Sequence, residues 1–355
     1  MFVNLYGHSY HRIKLPNHKF EVFKYTHPFV LKNKVVENDF DTNQLKIAYA
    51  TARTLCSFHL DNKELYFDLI ASLLSHLNFI TKDKQDYLQI FESRYVRLRD
   101  FSKTTRIGEL AQGVNYLFTQ ERLDYPYVVD FHLFHLKVYG TPYPKRSSPD
   151  FFVLKEDFSE IGLMESKGEG AKRNSISGKL QSALKQLENV KKPCVDALMP
   201  MCSRFEWETT GKKSSINYAF IKKDCKTKDN FKLRILRLHY ASWFYLVGDF
   251  NRVEQLLNIE GFDDLEGDVN YILDTTDKES PIYWVERARS FGFSKQFNIH
   301  VDMLTSTEFK IGIYKKVIER ILSNTTSVQT NFSSESDTEF ERFRDGTVIK
   351  IGDKK

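Results

Sequence analysis

Glu165 and Lys167 lie two residues apart in the segment LMESKG. The segment is typical of a β-strand, in which residues i and i+2 project from the same face, so the carboxylate and the amine are directed at one spot. Asp150 follows Pro149 directly before a second strand-like run, FFVL. An antiparallel hairpin between the two runs would bring Asp150 beside Glu165. Two converging carboxylates are typical of a hard oxygen site for Mg²⁺ or Mn²⁺.

The neighbouring patterns predict the elements that hold these side chains. IGELAQGVNYLF predicts a helix with one apolar stripe and Glu109 at its margin. YVVDFHLFHLKVYG alternates like a strand, which would place His132 and His135 on opposite faces, and SISGKLQSALKQLENV predicts a helix after the lysine. Two more strands are predicted within residues 194–223. This order of elements predicts an α/β core.

The core motif resembles a known signature. Pro149-Asp150, followed after 14 intervening residues by Glu165-Ser166-Lys167, is similar to the PD-(D/E)XK motif of restriction-endonuclease-like nucleases. Glu109 resembles the acidic residue on the first core helix of many members. The glutamine that some members carry after the lysine corresponds to Gln181 or Gln186. The resemblance covers about residues 105–223 and implies a restriction-endonuclease-like core, which is a central mixed sheet flanked by helices.

The resemblance implies an enzyme that hydrolyses phosphodiester bonds with a divalent metal. Asp150 and Glu165 would bind Mg²⁺ or Mn²⁺ with the backbone carbonyl of Ser166, and Glu109 would serve a second ion or its water shell. Lys167 would orient the attacking water or offset charge that develops in the transition state. We expect DNA rather than RNA as the substrate. A role in bacterial restriction or anti-phage defence is an extrapolation from the resemblance.

Basic residues around the motif are candidates for contacts with the nucleic-acid backbone. The turn after Lys167 is basic and leads to a predicted helix, whose first N–H groups can bind phosphate. Residues 211–237 contain nine Lys or Arg and two acids, whereas residues 249–289 contain eleven acids and four bases. The predicted contacts are Lys172, Arg173, Lys179, Lys212 and Lys213.

The 355 residues, 41% of them hydrophobic and 28% charged, are typical of a soluble globular chain. Helical spacing of apolar residues in NQLKIAYATARTLCSFHL after Asp41, a candidate N-cap, and again in DYLQIFESRYVRLRDF, predicts a helical N-terminal region. TEFKIGIYKKVIERILSN predicts a final helix, before a Ser/Thr-rich stretch. The predicted domains are a mainly helical region at 1–104, the nuclease core at 105–248, an acidic α+β extension at 249–324 and a disordered tail at 325–355.

The sequence also predicts a compartment and partners. Four cysteines without a CxxC pair predict reduced core residues. No run approaches about 18 apolar residues, and the first residues lack a signal-peptide pattern, which predicts a cytoplasmic protein without a membrane partner. No GxxxxGK[ST] motif occurs, so any ATPase, helicase or sensor would be a separate protein. Cutting of both DNA strands by single-site copies predicts a homo-oligomer.

Two other functions fit the residues. In the first, the chain is a non-catalytic nucleic-acid-binding adaptor that docks a partner protein through its acidic C-terminal region. An adaptor would keep its affinity for nucleic acid in EDTA, whereas a nuclease requires the metal. In the second, Glu109 and Glu165 are the acid and base of a carbohydrate or peptide hydrolase, which predicts a metal-independent rate with a bell-shaped pH profile.

Overall fold

The structure is a computed structural model of the 355-residue chain. It describes residues 16–26, 34–55, 76, 79–141, 143, 148–171, 175–190, 194–225, 229–246, 250–257, 282–284, 307–322 and 340–353. The chain divides into two compact units, one formed by residues 16–258 and the other by residues 1–15 with 259–355. The boundary predicted at residue 104 therefore lies inside the larger unit.

The larger unit contains both strands and helices. Its described strands are β1 (Asn17–Tyr25), β2 (Lys34–Asn43), β3 (Ile80–Lys82), β4 (Leu88–Ile90), β5 (Tyr127–Asp130), β6 (Phe151–Leu154), β7 (Ile161–Gly170), β8 (Ala197–Phe205), β9 (Ser215–Ala219) and β10 (Ile221–Lys222). Its described helices are α1 (Gln44–Leu55), α2 (Glu92–Val96), α3 (Asp100–Arg122), α4 (Phe131–Tyr139), α5 (Ile176–Glu188), α6 (Asp229–Leu246) and α7 (Phe250–Leu257).

A large mixed sheet forms the centre of this unit. Within the described residues it has eight strands, seven of them in the order β2-β1-β9-β8-β7-β6-β5, with β10 paired to β8. The pairs β7–β8 and β1–β9 are parallel, whereas the other neighbours are antiparallel. Helices flank the sheet, so the predicted α/β class with a central mixed sheet is confirmed. β3 and β4 form a separate antiparallel pair.

The long helix α3 packs directly on β7. Asn115 Nδ2 donates to Ser166 Oγ at 2.7 Å and accepts at Oδ1 from Ser203 Oγ on β8, also at 2.7 Å. A Cβ on Gly168 would lie 2.6 Å from the carbonyl oxygen of Ile107. The face of β7 that carries Ser166 and Gly168 is therefore covered by α3, and alternation directs Glu165 and Lys167 to the other face.

The N-terminal region differs from the prediction because much of it is β-structure. β1 and β2 extend the central sheet, and β1 pairs in parallel with β9 from Glu21↔Ser215 to Tyr25↔Ala219. α1 is present, but its first turn is capped by Asn43 rather than Asp41, because Asn43 Oδ1 accepts from Lys46 N at 2.9 Å. The run DYLQIFESRYVRLRDF, which predicted a helix, contains β4 and the short α2 instead.

The strand predicted across residues 127–139 is wrong in its second half. β5 ends at Asp130, whose side chain accepts from Leu133 N at 2.7 Å and caps α4. Gly140 ends α4 in the left-handed conformation at φ 70°. His132 and His135 therefore lie on a helix. His132 Nε2 lies 2.8 Å from Ser148 Oγ, and His135 Nδ1 lies 2.8 Å from the carbonyl oxygen of Thr141.

The prediction of reduced cysteines is wrong for one pair. Cys194 and Cys225 form a disulfide with a Cα–Cα distance of 6.1 Å. The bond joins the entry of β8 to the exit of β10, two strands that pair with each other, and this pairing cannot be read from the spacing of the cysteines. Cys202 is a free thiol in the core, and Cys56 lies outside the described residues.

The second unit contains an antiparallel sheet and a helix. Its described elements are β11 (Ile282–Trp284), β12 (Thr307–Tyr314), α8 (Lys315–Leu322), β13 (Glu341–Arg342) and β14 (Thr347–Asp353), with the strand order β11-β12-β14-β13. The predicted final helix is thus half strand, since Ile311 and Ile313 alternate into the core. The tail predicted to be disordered contains β13 and β14. Among the described residues, no helix has both the length and the apolar character needed to cross a bilayer.

Candidate active site

Asp150 lies at the point where β6 stops pairing with β7. The predicted hairpin is present, and its last paired residues are Phe151 and Met164. Beyond this pair, the Asp150 side chain replaces the backbone of a neighbouring strand as the hydrogen-bond partner of β7. Its Oδ2 accepts from Ser166 N at 2.8 Å. The N–H and C=O of one strand residue point to the same neighbour. The Ser166 carbonyl is therefore directed toward the edge where Asp150 lies.

Glu165 and Lys167 project together from the face of β7 that is opposite to α3. Lys167 Nζ lies 2.5 Å from Glu165 Oε1. Glu165 is only 2% exposed, and its Oε2 has no hydrogen-bond partner among the described residues. A buried carboxylate oxygen without a partner is unfavourable unless a ligand satisfies it. This oxygen is therefore the strongest mark of a binding site on β7.

The two carboxyl groups share one electrostatic environment. Burial raises the pKa of Glu165 above its ordinary value, and the neighbouring Asp150 charge raises this pKa further, against the opposing effect of Lys167. Burial also raises the pKa of Asp150, while the hydrogen bond from Ser166 N lowers it. Glu165 therefore resists ionisation beside a charged Asp150 unless a further cation offsets the two negative charges.

The donor set fits a small divalent cation. The unpartnered Oε2 of Glu165, the Asp150 carboxylate and the Ser166 carbonyl are hard oxygen ligands. No group of three or more His, Cys, Asp or Glu side chains suited to a metal occurs among the described residues. Mg²⁺ commonly binds through one or two carboxylates, with waters and substrate phosphate oxygens completing its shell. Two carboxylates therefore suffice for an ion that also binds substrate.

Glu109 is paired with Arg106 on its own helix and with His76 from another part of the chain. Its Oε2 lies 3.1 Å from Arg106 Nη1 and 3.4 Å from His76 Nε2. Burial alone would raise the pKa of Glu109, but the adjacent His76 and Arg106 outweigh it, so the pKa is lowered. This carboxylate already has two cationic or donor partners, unlike the unpartnered oxygen of Glu165.

Two residues near Asp150 were missed by sequence reasoning. Gln112 lies one turn after Glu109 on α3, and its side chain hydrogen-bonds to the Asp150 carboxylate. Asp130 pairs with Phe151 across β5 and β6, and its charge raises the pKa of Asp150. The spacing of Gln112 from Glu109 was a usable signal, because residues i and i+3 share a helix face. No local sequence pattern indicated that Asp130 would lie near Asp150.

The predicted nucleic-acid contacts occupy several positions. Lys179 Nζ lies 3.5 Å from Glu169 Oε2, so it is paired with a carboxylate on the Lys167 face of β7. Lys213 Nζ lies 4.0 Å from the centre of the Tyr87 ring, and its pKa is raised by the hydrogen bond with Tyr87. Lys212 is exposed. Lys172 and Arg173 lie outside the described residues. Gln181 is exposed on α5 and Gln186 is half-buried.

Comparison of the chain with protein-family models, with curated proteins and with solved structures finds no match. The site must therefore be interpreted from its own geometry and from the motif.

Proposed function

We propose that the chain is a metal-dependent nuclease with a restriction-endonuclease-like core that hydrolyses phosphodiester bonds, with DNA as the preferred substrate. The observation that carries this proposal is the buried, unpartnered Oε2 of Glu165, which lies beside a second carboxylate and an amine. The motif supports the same interpretation, since the carboxylates and the amine are the ones it comprises.

Each side chain has a chemical role in this proposal. Asp150 and Glu165 hold the cation, which supplies a water of lowered pKa and neutralises charge on the scissile phosphate when bound. Gln112 and Ser166 N orient the Asp150 carboxylate through their hydrogen bonds. Lys167 places its positive charge next to the site, where it positions the attacking water or stabilises charge on the phosphate oxygens.

The described residues favour this function over a hydrolase that uses Glu109 and Glu165 as an acid and base pair. A general acid at neutral pH requires a raised pKa, and the partners of Glu109 lower its pKa instead. For the adaptor function, the acidic segment over residues 249–289 lies largely outside the described residues. A non-catalytic scaffold also has no need for an unpartnered buried carboxylate.

A cleavage assay tests the proposal. Purified chain is incubated with linear duplex DNA, single-stranded DNA and RNA, in Mg²⁺, Mn²⁺ or EDTA. We expect cleavage only with metal, and we expect Lys167→Met to lower its rate by a factor of about 10² to 10³. The matched control is Lys222→Met, because Lys222 also pairs with a glutamate, Glu160, at 3.0 Å, on another part of the unit.

The control variant should cleave at the wild-type rate. Thermal unfolding of each variant establishes that it is folded. Cleavage that persists in EDTA, or that is equal in the Lys167→Met and wild-type proteins, would contradict the proposal.

A further inference from the structure

A basic segment precedes and enters α3. Residues 92–106 contain five Lys or Arg and two acids. Arg97 and Arg99 are exposed, and neither has a carboxylate within ion-pair distance among the described residues. Lys103 and Arg106 pair with acids on their own helix, at 3.3 Å and 3.1 Å. The segment therefore presents a surface with unneutralised positive charge.

Exposed apolar side chains lie within the same segment. Phe101 is 84% exposed and Val96 is 56% exposed, and Phe101 is the most exposed large hydrophobic side chain among the described residues. An aromatic ring that the core does not use, set among arginines, is the combination that single-stranded nucleic acids bind. Arginines bind the phosphates and the ring stacks on a base.

The basic segment reaches the end of the strand that carries the candidate active site. Tyr95 on α2 packs on Trp207 with ring centres 4.2 Å apart. A Cβ on Gly170 would lie 3.8 Å from the Tyr95 hydroxyl and from the Trp207 ring. Gly170 ends β7 three residues after Lys167, which corresponds to roughly 10 Å along a strand. Gly170 lies on the same face of β7 as Gly168, so a nucleic-acid strand bound to the basic segment has to pass around the end of β7 to reach Lys167 on the other face.

We propose that the basic segment binds single-stranded nucleic acid and directs it toward Asp150, Glu165 and Lys167. Arg97 and Arg99 contact phosphates, and Phe101 stacks on an unpaired base. That the bound nucleic acid reaches the candidate active site rests on the proposed function, but its binding to the basic segment does not. The charge favours a polyanion, and a single exposed ring favours an unstacked base over a lipid surface, which is commonly bound through several apolar side chains.

The test measures binding without cleavage. Full-length chain is titrated in EDTA against a labelled single strand of about 16 nucleotides, a duplex of equal length, and vesicles of phosphatidylserine and phosphatidylcholine. We expect the single strand to bind best. The double variant Arg97→Gln/Arg99→Gln should reduce the slope of log K against log salt by about 1.4. Phe101→Ala should weaken binding by about five-fold or more and leave the slope unchanged.

Matched controls remove equivalent groups elsewhere. Lys137→Gln/Lys185→Gln removes two exposed lysines outside residues 211–237, and Tyr139→Ala removes an aromatic side chain that is 44% exposed. Both controls should bind the single strand like the wild type. Equal binding by the wild type and by the Arg97/Arg99 and Phe101 variants would overturn the inference, as would a preference for the duplex or for vesicles.

Binding in EDTA and cleavage in metal separate this inference from the proposed function, because binding to the basic segment requires no metal. A wild-type protein that binds as expected but does not cleave with Mg²⁺ or Mn²⁺ would contradict the proposed function and support the binding site.

Discussion

The buried carboxylate of Glu165 favours binding of a divalent metal but lowers the stability of the metal-free protein. In the metal-free protein its carboxylate is buried beside Asp150, and burial raises its pKa. The folded state therefore holds this proton to higher pH than the unfolded state does. Stability falls as pH rises from the ordinary pKa of 4.5 through the raised value. At pH 8 the ionised carboxylate opposes folding because Lys167 offsets its burial and the Asp150 charge only in part, and a bound divalent cation would relieve it.

Glu165→Gln is therefore expected to stabilise the metal-free protein. In EDTA at pH 8, we expect the variant to gain on the order of 1 to 3 kcal/mol in free energy of unfolding, because the neutral amide requires no counter-charge. The gain should vanish near pH 4, where the wild-type carboxyl is protonated. Urea unfolding followed by circular dichroism measures both values. A variant less stable than the wild type at pH 8 would show that Glu165 is satisfied without a ligand.

The site could be predicted from the sequence as far as its contacts are local. Glu165 and Lys167 share a strand, so their spacing alone places them on one face. Asp150 required only a hairpin, which its neighbouring apolar run indicated. Gln112 and Asp130 reach Asp150 from a separate helix and strand, and which helix residue meets a given strand residue depends on packing. That information is not contained in any single segment.

The packing of the helix α3 on the strand β7 maintains the geometry of the candidate active site. Gly168 allows the helix to approach, since its missing Cβ would lie 2.6 Å from the carbonyl oxygen of Ile107 and 3.0 Å from the Cβ of Ala111. The helix brings Gln112 to Asp150 and Asn115 to Ser166. A change in the helix position would therefore move the side chains that orient the carboxylates.

Gly168→Ala is expected to force α3 away from β7. We predict a loss of about 1 to 3 kcal/mol in stability, with lower cleavage activity as Gln112 moves away from Asp150. The matched control is Gly108→Ala on the same helix, where a Cβ meets nothing within 4 Å. This control should be neutral or stabilising, because alanine favours the helix. Equal stability of the two variants, measured by thermal unfolding, would contradict the packing argument.

A buried histidine in β1 makes the stability of the folded protein depend on pH. His18 is fully buried, and neither ring nitrogen has a hydrogen-bond partner among the described residues. Burial, with a smaller effect from Lys82 and against an opposing one from Asp86, lowers its pKa from 6.5 to about 4. The unfolded chain therefore binds this proton at higher pH than the folded chain does. Stability is complete above pH 6.5 and is lost as pH falls toward 4.

His18→Leu should remove this part of the pH dependence. The wild type should lose about 2 kcal/mol more than the variant between pH 7 and pH 5. Urea unfolding at the two pH values gives the difference. Parallel losses in both proteins would mean that His18 gains a partner or charge in the folded state.

The elements that the sequence predicted well are those with strong local signals. α3, β6, β7 and α5 lie where the apolar spacing placed them. The alternation of YVVDFHLFHLKVYG predicted a strand, but Asp130 as an N-cap and Gly140 at φ 70° favour the helix α4 over its second part. The position of β1 beside β9 joins segments about 190 residues apart, and long-range pairing of this kind has no local signature.

At the scale of the whole molecule, the candidate site lies within one compact unit. Asp150, Glu165, Lys167 and the basic segment all belong to residues 16–258. The Cys194–Cys225 disulfide also closes within this unit. The chemistry we propose therefore requires no residue from the second unit.

A fragment of residues 16–258 is expected to fold and to retain metal-dependent cleavage. Its rate with a short oligonucleotide should lie within a few-fold of that of the full chain, because each group of the site is present. Circular dichroism establishes the fold, and the cleavage assay gives the rate. A folded but inactive fragment would show that the second unit contributes to the reaction or to substrate binding.

A metal centre at Asp150 and Glu165 is tested most directly by calorimetric titration of the metal-free chain with Mn²⁺ at pH 8. We expect a divalent-ion site that Asp150→Asn and Glu165→Gln each abolish or weaken by about 10-fold or more. Lys167→Met should retain the site. A folded wild-type protein that binds no Mn²⁺, or one whose binding is unchanged in both carboxylate variants, would contradict a metal centre at Asp150 and Glu165.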